Sequence, residues 1–169
     1  LKAQFSHMIV PNGLGFSHDG RIMYLSDSHP LVQKIWAFDY DIDSGTPHNR
    51  RLFVDMNQHP GRPDGAAVDA DGCYWICGND AGLVHRFTPE GRPDRSIQVP
   101  ADTPAMCAFA GPRPDPLVLT SIRPPPPPAG REAPAGVAFA VRPGGKGQPD
   151  VRLRRPASRP GCRHRARAR

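Results

Sequence analysis

Apolar residues in this chain come in short runs that stop at glycine, proline or aspartate, and no stretch keeps the 3.6-residue spacing of an amphipathic helix. Setting residues 12–28 (NGLGFSHDGRIMYLSDS) above residues 64–80 (DGAAVDADGCYWICGND) aligns Asn12 with Asp64, Gly13 with Gly65, Asp19 with Asp71 and Gly20 with Gly72, an offset of 52 residues. Each copy predicts a short strand, a turn at the Asp-Gly pair, and a second strand rich in aromatic and β-favouring residues. A weaker third copy, residues 107–121, lies over residues 14–28, matching Phe109 to Phe16 and Ser121 to Ser28, with proline and aspartate replacing the Asp-Gly turn. Further strands are expected in residues 34–41, 83–91 and 136–145, each running into a glycine or proline turn.

A repeat of roughly 40–50 residues with about four short strands per unit defines the blade of a β-propeller. The expected fold class is therefore all-β, with about three blades present. Closed propellers need about four to eight blades, and an open arc leaves sheet edges unpaired. The expectation is that this chain, which begins at Leu1, is a fragment of a longer propeller.

Composition changes that picture only at one end. The chain has 169 residues and a net charge of +6, but residues 152–169 hold eight arginines and no acid. Without them, 14 basic residues face 16 acidic ones, so the body has a net charge of −2. Residues 1–150 are expected to form the partial propeller, and residues 151–169 an Arg-rich, solvated tail. An Arg-rich segment without aromatics can coat phosphates through sequence-independent electrostatics. A solvated end is the preferred reading and no nucleic-acid partner is expected; off-frame translation of GC-rich coding sequence is a third explanation of this composition. No run approaches the roughly 18–20 apolar residues of a membrane helix, and the first residues lack a signal peptide's layout. A cytoplasmic protein without a membrane partner is expected, of undetermined oligomeric state.

Several sites fail on spacing. Asp39, Asp41 and Asp43 resemble the start of a calcium loop, but the glycine comes one place late and Arg50 stands where the bidentate glutamate belongs, so a solvated turn is expected. The seven histidines form no HExxH motif, and neither a GxSxG elbow nor a Walker loop is present. The cysteines, at positions 73, 77, 107 and 162, lack zinc spacing and are expected to be buried free thiols, with Cys73, Trp75 and Cys77 on one strand face. The five prolines at 124–128 are expected to form a stiff connector. What remains is Asn12 and Asp64, at equivalent positions of the two best-matched repeats. Either they shape turns before glycine, or they converge on a propeller's central channel, where an amide oxygen and a carboxylate suit a hard cation.

The stretches PNGLGFSHDGRIMYLSDS, IWAFDYDIDSG with NRRLF, GRPDGAAVDADGCYW, PAMCAF, LVLTSI and AGVAFAVRPGGKGQPD resemble the C-terminal half of the gluconolactonase/regucalcin (senescence marker protein) family of six-bladed propeller lactonases, in the family's order across most of residues 10–150. The resemblance implies divalent-metal-dependent hydrolysis of sugar lactones to aldonic acids, with Ca²⁺, Mn²⁺, Zn²⁺ or Mg²⁺ as cofactor. It also implies that Asn12 is a metal ligand, and that Asp64 is both a metal ligand and the general base. The family's glutamate ligand and its sugar-contacting arginine and asparagine belong to the other half, so little or no activity is expected of this chain alone. The alternative within the resemblance is a non-catalytic calcium-binding or interaction propeller. The segment GPRPD, the proline run and the Arg-rich tail depart from the family pattern.

Overall fold

The structure, a computed structural model, describes residues 3–4, 6–111, 114–123 and 136–148; the proline run, Cys162 and the Arg-rich tail lie outside the described residues. Three antiparallel sheets follow one another along the chain. The first is β1 (Pro11–Phe16), β2 (Ile22–Asp27), β3 (Lys34–Asp41) and β4 (Thr46–Asp55), paired in that order. A single 3₁₀ turn, Met56–Gln58, capped by the Asp55 carboxylate on the Asn57 N–H, leads onward. The second sheet is β5 (Arg62–Val68), β6 (Tyr74–Asn79), β7 (Leu83–Phe87) and β8 (Pro93–Gln98), again in sequence order. The third contains β9 (Pro104–Phe109), β10 (Leu117–Ser121) and β11 (Ala138–Val141).

Strands β1, β5 and β9 lie side by side, which makes them the inner strands of three consecutive blades. The outer strands are wet: β8 is exposed at every position except Ile97, and the middle of β4 is exposed as well. The expected hairpins are present, although the Asp-Gly pairs sit within longer loops rather than two-residue turns. Gly20 (φ +70°) and Gly72 (φ +79°) adopt the left-handed conformation, each donating its N–H back to residue 17 or 69.

The core is two clusters separated by β6. Tyr74 and Ile76 pack with Tyr24, Ile35, Val54 and Met56 of the first blade, together with Ala66 and Phe87. Trp75 and Cys77 point the other way, against Cys107, Leu117 and Leu119 of the third blade. All six residues of β6 are buried for that reason: strand alternation serves two interfaces at once. Cys73, Cys77 and Cys107 are free and buried as expected, and Cys77 shares the Trp75 face. The Cys77 thiol is pushed up by its hydrogen bond with Cys107 and by burial.

One buried polar group anchors this packing. The carboxylate of Asp69, with no exposed surface, accepts the N–H groups of Asp71 (3.0 Å) and Cys73 (2.9 Å) at Oδ1. At Oδ2 it accepts Trp75 Nε1 (2.8 Å) and Arg86 Nε (2.8 Å). Arg86 also pairs with Asp71 and Asp94, each at 2.9 Å.

The blades approach so closely beside β5 that a side chain is excluded. A Cβ at Gly65 would lie 2.5 Å from the Ala105 carbonyl oxygen and 2.7 Å from Met106 Cα, both on β9. Gly65→Ala is expected to cost about 1–3 kcal/mol, the range for overpacking against backbone that cannot yield. Urea denaturation followed by circular dichroism checks this, and an unchanged midpoint would mean β9 can retreat.

Candidate functional site

Asn12 and Asp64 lie in strands, not in turns. Each lies at an irregularity of its inner strand, Asn12 immediately before a bulge and Asp64 within one. The β1–β2 register shifts between Asn12 and Gly15, with Gly13 at φ +58°, and the β5–β6 register shifts between Pro63 and Ala66, so that Asp64 and Gly65 oppose a single residue. Bulges re-aim side chains. Here they turn two residues 52 positions apart toward each other, across the boundary between the first two blades.

Asn12 Nδ2 donates to Asp64 Oδ1 at 2.5 Å, while Asn12 Oδ1 accepts the Gly13 N–H at 3.0 Å. The other carboxylate oxygen, Asp64 Oδ2, accepts from Asn79 Nδ2 at 2.9 Å. The same Asn79 amide nitrogen donates to the Pro104 carbonyl at 3.2 Å. Around this group the backbone is fixed by buried hydroxyls: Tyr74 Oη donates to the Gly13 carbonyl, and Ser28 Oγ to the Pro63 carbonyl. Asn79 is absent from the expected site. Preceding Asp80 and Gly82, it has the composition of a turn, and no spacing in the sequence distinguishes it.

Asp64 is half-buried and has no ion pair among the described residues. The nearest guanidinium, on Arg62, is committed to the exposed Asp80 at 2.6 Å. Burial pushes the Asp64 carboxyl above its usual range, opposed by the hydrogen bonds from Asn12 and Asn79 and by the charge of Arg62. Between the unfolded and the raised folded pKa the native state therefore binds more protons, so stability falls as pH rises through that window. Asp64→Asn, which cannot titrate, is accordingly expected to lose this part of the pH dependence of Tm. Calorimetry at several pH values checks this.

The donor set fits part of a hard-cation site. A half-buried carboxylate contacted only by neutral amides carries uncompensated charge, and an amide oxygen beside it is a second hard donor. To ligate together, the Asn12 amide must rotate to present Oδ1 in place of Nδ2, and the pair must open by several tenths of an ångström. No three His, Cys, Asp or Glu side chains converge on a metal position among the described residues, so only two ligands can be named from this chain. The Asp39, Asp41 and Asp43 loop is an exposed turn: Asp41 accepts the Asp43 and Ser44 N–H groups, and Asp39 pairs with Arg51 at 2.7 Å. No described helix is long and apolar enough to cross a membrane.

Two four-stranded blades and a third sheet of three described strands, with oxygen donors on the inner strands of the first two, define part of a propeller with a polar site at those strands. The chain belongs to the family described as the SMP-30/gluconolactonase/LRE-like region, whose model matches residues 1–123. It is 36% identical over 118 residues to the regucalcin of Xenopus laevis, covering 69% of this chain and 39% of that protein. Against the 6-deoxy-6-sulfogluconolactonase of Pseudomonas putida it is 40% identical over 117 residues, again 69% of this chain and 39% of the relative. The fold matches the solved structure of a calcium-binding protein, regucalcin, from Agrobacterium tumefaciens with a TM-score of 0.74 and 27% identity, over 89% of this chain and 52% of that one. Such relatives are six-bladed propellers, and about three sheets are present here. The chain spans about two-fifths to one-half of the length of the proteins it matches.

Proposed function

We propose that the chain is part of a divalent-metal-dependent sugar-lactone hydrolase, in which Asn12 and Asp64 supply two ligands of the cation and Asp64 acts as the base. The observation that carries this reading is the meeting of an amide and a half-buried carboxylate without an ion pair, from equivalent repeat positions of adjacent inner strands. Named lactonases among the relatives support the substrate class. Ca²⁺, Mn²⁺, Zn²⁺ and Mg²⁺ remain the candidates. The Arg-rich residues 151–169 are assigned no part in the site and are proposed to be separate from the propeller unit, residues 1–150.

When bound, a divalent cation polarises the lactone carbonyl and stabilises the oxyanion that develops on it. Asp64 orients a water against the carbonyl carbon and takes its proton at a carboxylate oxygen. The ring C–O bond then breaks, the proton held on Asp64 passes to the leaving alkoxide oxygen, and an aldonic acid leaves with the carboxylate of Asp64 restored. Asn12 and Asn79, each bonded to a different carboxylate oxygen, limit the rotation of that base.

Two donors are few against the six to eight oxygens Ca²⁺ takes or the six Mg²⁺ takes, so the 169-residue chain is proposed to bind metal weakly and to hydrolyse lactones slowly at most. Titration with Mn²⁺, read by electron paramagnetic resonance, tests the site. Saturable binding that weakens at least tenfold in Asp64→Asn supports it, and equal binding by the two proteins refutes it. A second reading, a calcium-binding propeller without catalysis, is favoured by the calcium-binding regucalcin among the solved relatives. It predicts metal binding with no lactone turnover in any form of the protein.

A further inference from the structure

Strand β6 ends at Asn79, whose backbone pairs with Arg62, so its side chain rises beside β5 close to Asp64. Asn79 is 4% exposed, and its amide nitrogen is divided between two acceptors in different blades: Asp64 Oδ2 at 2.9 Å and the Pro104 carbonyl, which opens β9, at 3.2 Å. The carbonyl is backbone in a blade packed tightly on β5, and it cannot follow the carboxylate if the latter swings. The amide is therefore pinned by the third blade before it reaches the acid of the second. Asp64 Oδ2 is held on that side, which leaves Oδ1 as the oxygen presented toward Asn12.

We propose that Asn79 is a positioning residue for Asp64, through which the third blade fixes the orientation of the carboxylate in the cation site. The proposal rests on the reading of Asn12 and Asp64 as metal ligands. A ligating carboxylate commonly has such a partner, and loss of one typically weakens metal binding about 10–100-fold. The third blade itself has Ala105 and Met106 beside Gly65, neither of which offers a hard side-chain donor, so its contribution to the site is this relay rather than a ligand.

The test uses the whole 169-residue chain and Mn²⁺ as the probe, with affinity read by electron paramagnetic resonance and folding by thermal circular dichroism. Asn79→Leu keeps the side-chain size and removes both hydrogen bonds. It is expected to weaken Mn²⁺ binding about 10–100-fold. Asn79→Ser, which retains a donor and is the milder substitution should the leucine variant not fold, is expected to fall between the two. A role confined to stability lowers Tm and leaves Mn²⁺ affinity untouched; a folded Asn79→Leu or Asn79→Ser chain that binds Mn²⁺ like the parent overturns the proposal. If instead Asp64→Asn binds like the parent, the metal-ligand reading fails and this proposal fails with it, so the two failures are told apart by which variant is silent.

Discussion

Asp64→Asn is expected to lower metal-dependent hydrolysis of aldonolactones by about 10²–10⁴-fold in any form of the protein that turns over, the range a positioned base contributes. The substitution keeps the shape of the side chain and both of its neighbours, Asn12 and Asn79. It removes the charge that attracts the cation and the lone pair that takes the proton. The amide relieves a half-buried charge but turns its NH₂ toward a donor, Asn12 or Asn79, so thermal circular dichroism is read beside the rates to separate a chemical defect from a folding one. Rates measured with Mn²⁺, Ca²⁺, Zn²⁺ and Mg²⁺ at saturating lactone check it. Turnover within threefold of the parent would exclude Asp64 as the base.

The second large effect concerns the fold. Asp69→Ala is expected to cost about 3–5 kcal/mol, because it takes from Arg86 its fully buried carboxylate, leaving only Asp71 and Asp94 to pair it, and leaves Trp75 Nε1 and two backbone N–H groups without their acceptor. Native domains are stable by only about 5–15 kcal/mol, so the variant should sit close to unfolding at room temperature. Asp69→Asn, which keeps acceptor capacity at one atom, should lose less. Urea titration of the two variants decides the matter: an Asp69→Ala midpoint equal to that of the parent would mean that Asp71 and Asp94 alone satisfy Arg86.

How much of this could be read from the sequence depends on where each strand lies in its blade. Residues 34–41 form β3 with the expected bounds, because Ile35, Ala37 and Phe38 carry a strong apolar pattern. The outer strands β4 and β8 were not separately expected. Segments such as TPHNRRLFVD and PDRSIQ face water over most of their length, so burial imposes little pattern on them. The pairing of Asn12 with Asp64 was legible through the repeat, since equivalent positions in adjacent blades must come near each other. The bulges that aim them were not, because Asn-Gly and Asp-Gly mark turns and bulges alike. Asn79 escaped notice for a different reason: its importance arises from a backbone carbonyl in another blade, and a carbonyl has no letter in the sequence.

Strand β6 has a consequence for how such a chain can change over time. Tyr74 and Ile76 answer to the first blade, Trp75 and Cys77 to the third, and none of the four has a solvent side. A substitution there has no neutral direction: altering size on either face demands a matching change in a different sheet, contributed by residues far away in the chain. Drift is therefore channelled outward to the middle of β4, whose exposed side chains can vary without consulting a neighbouring blade.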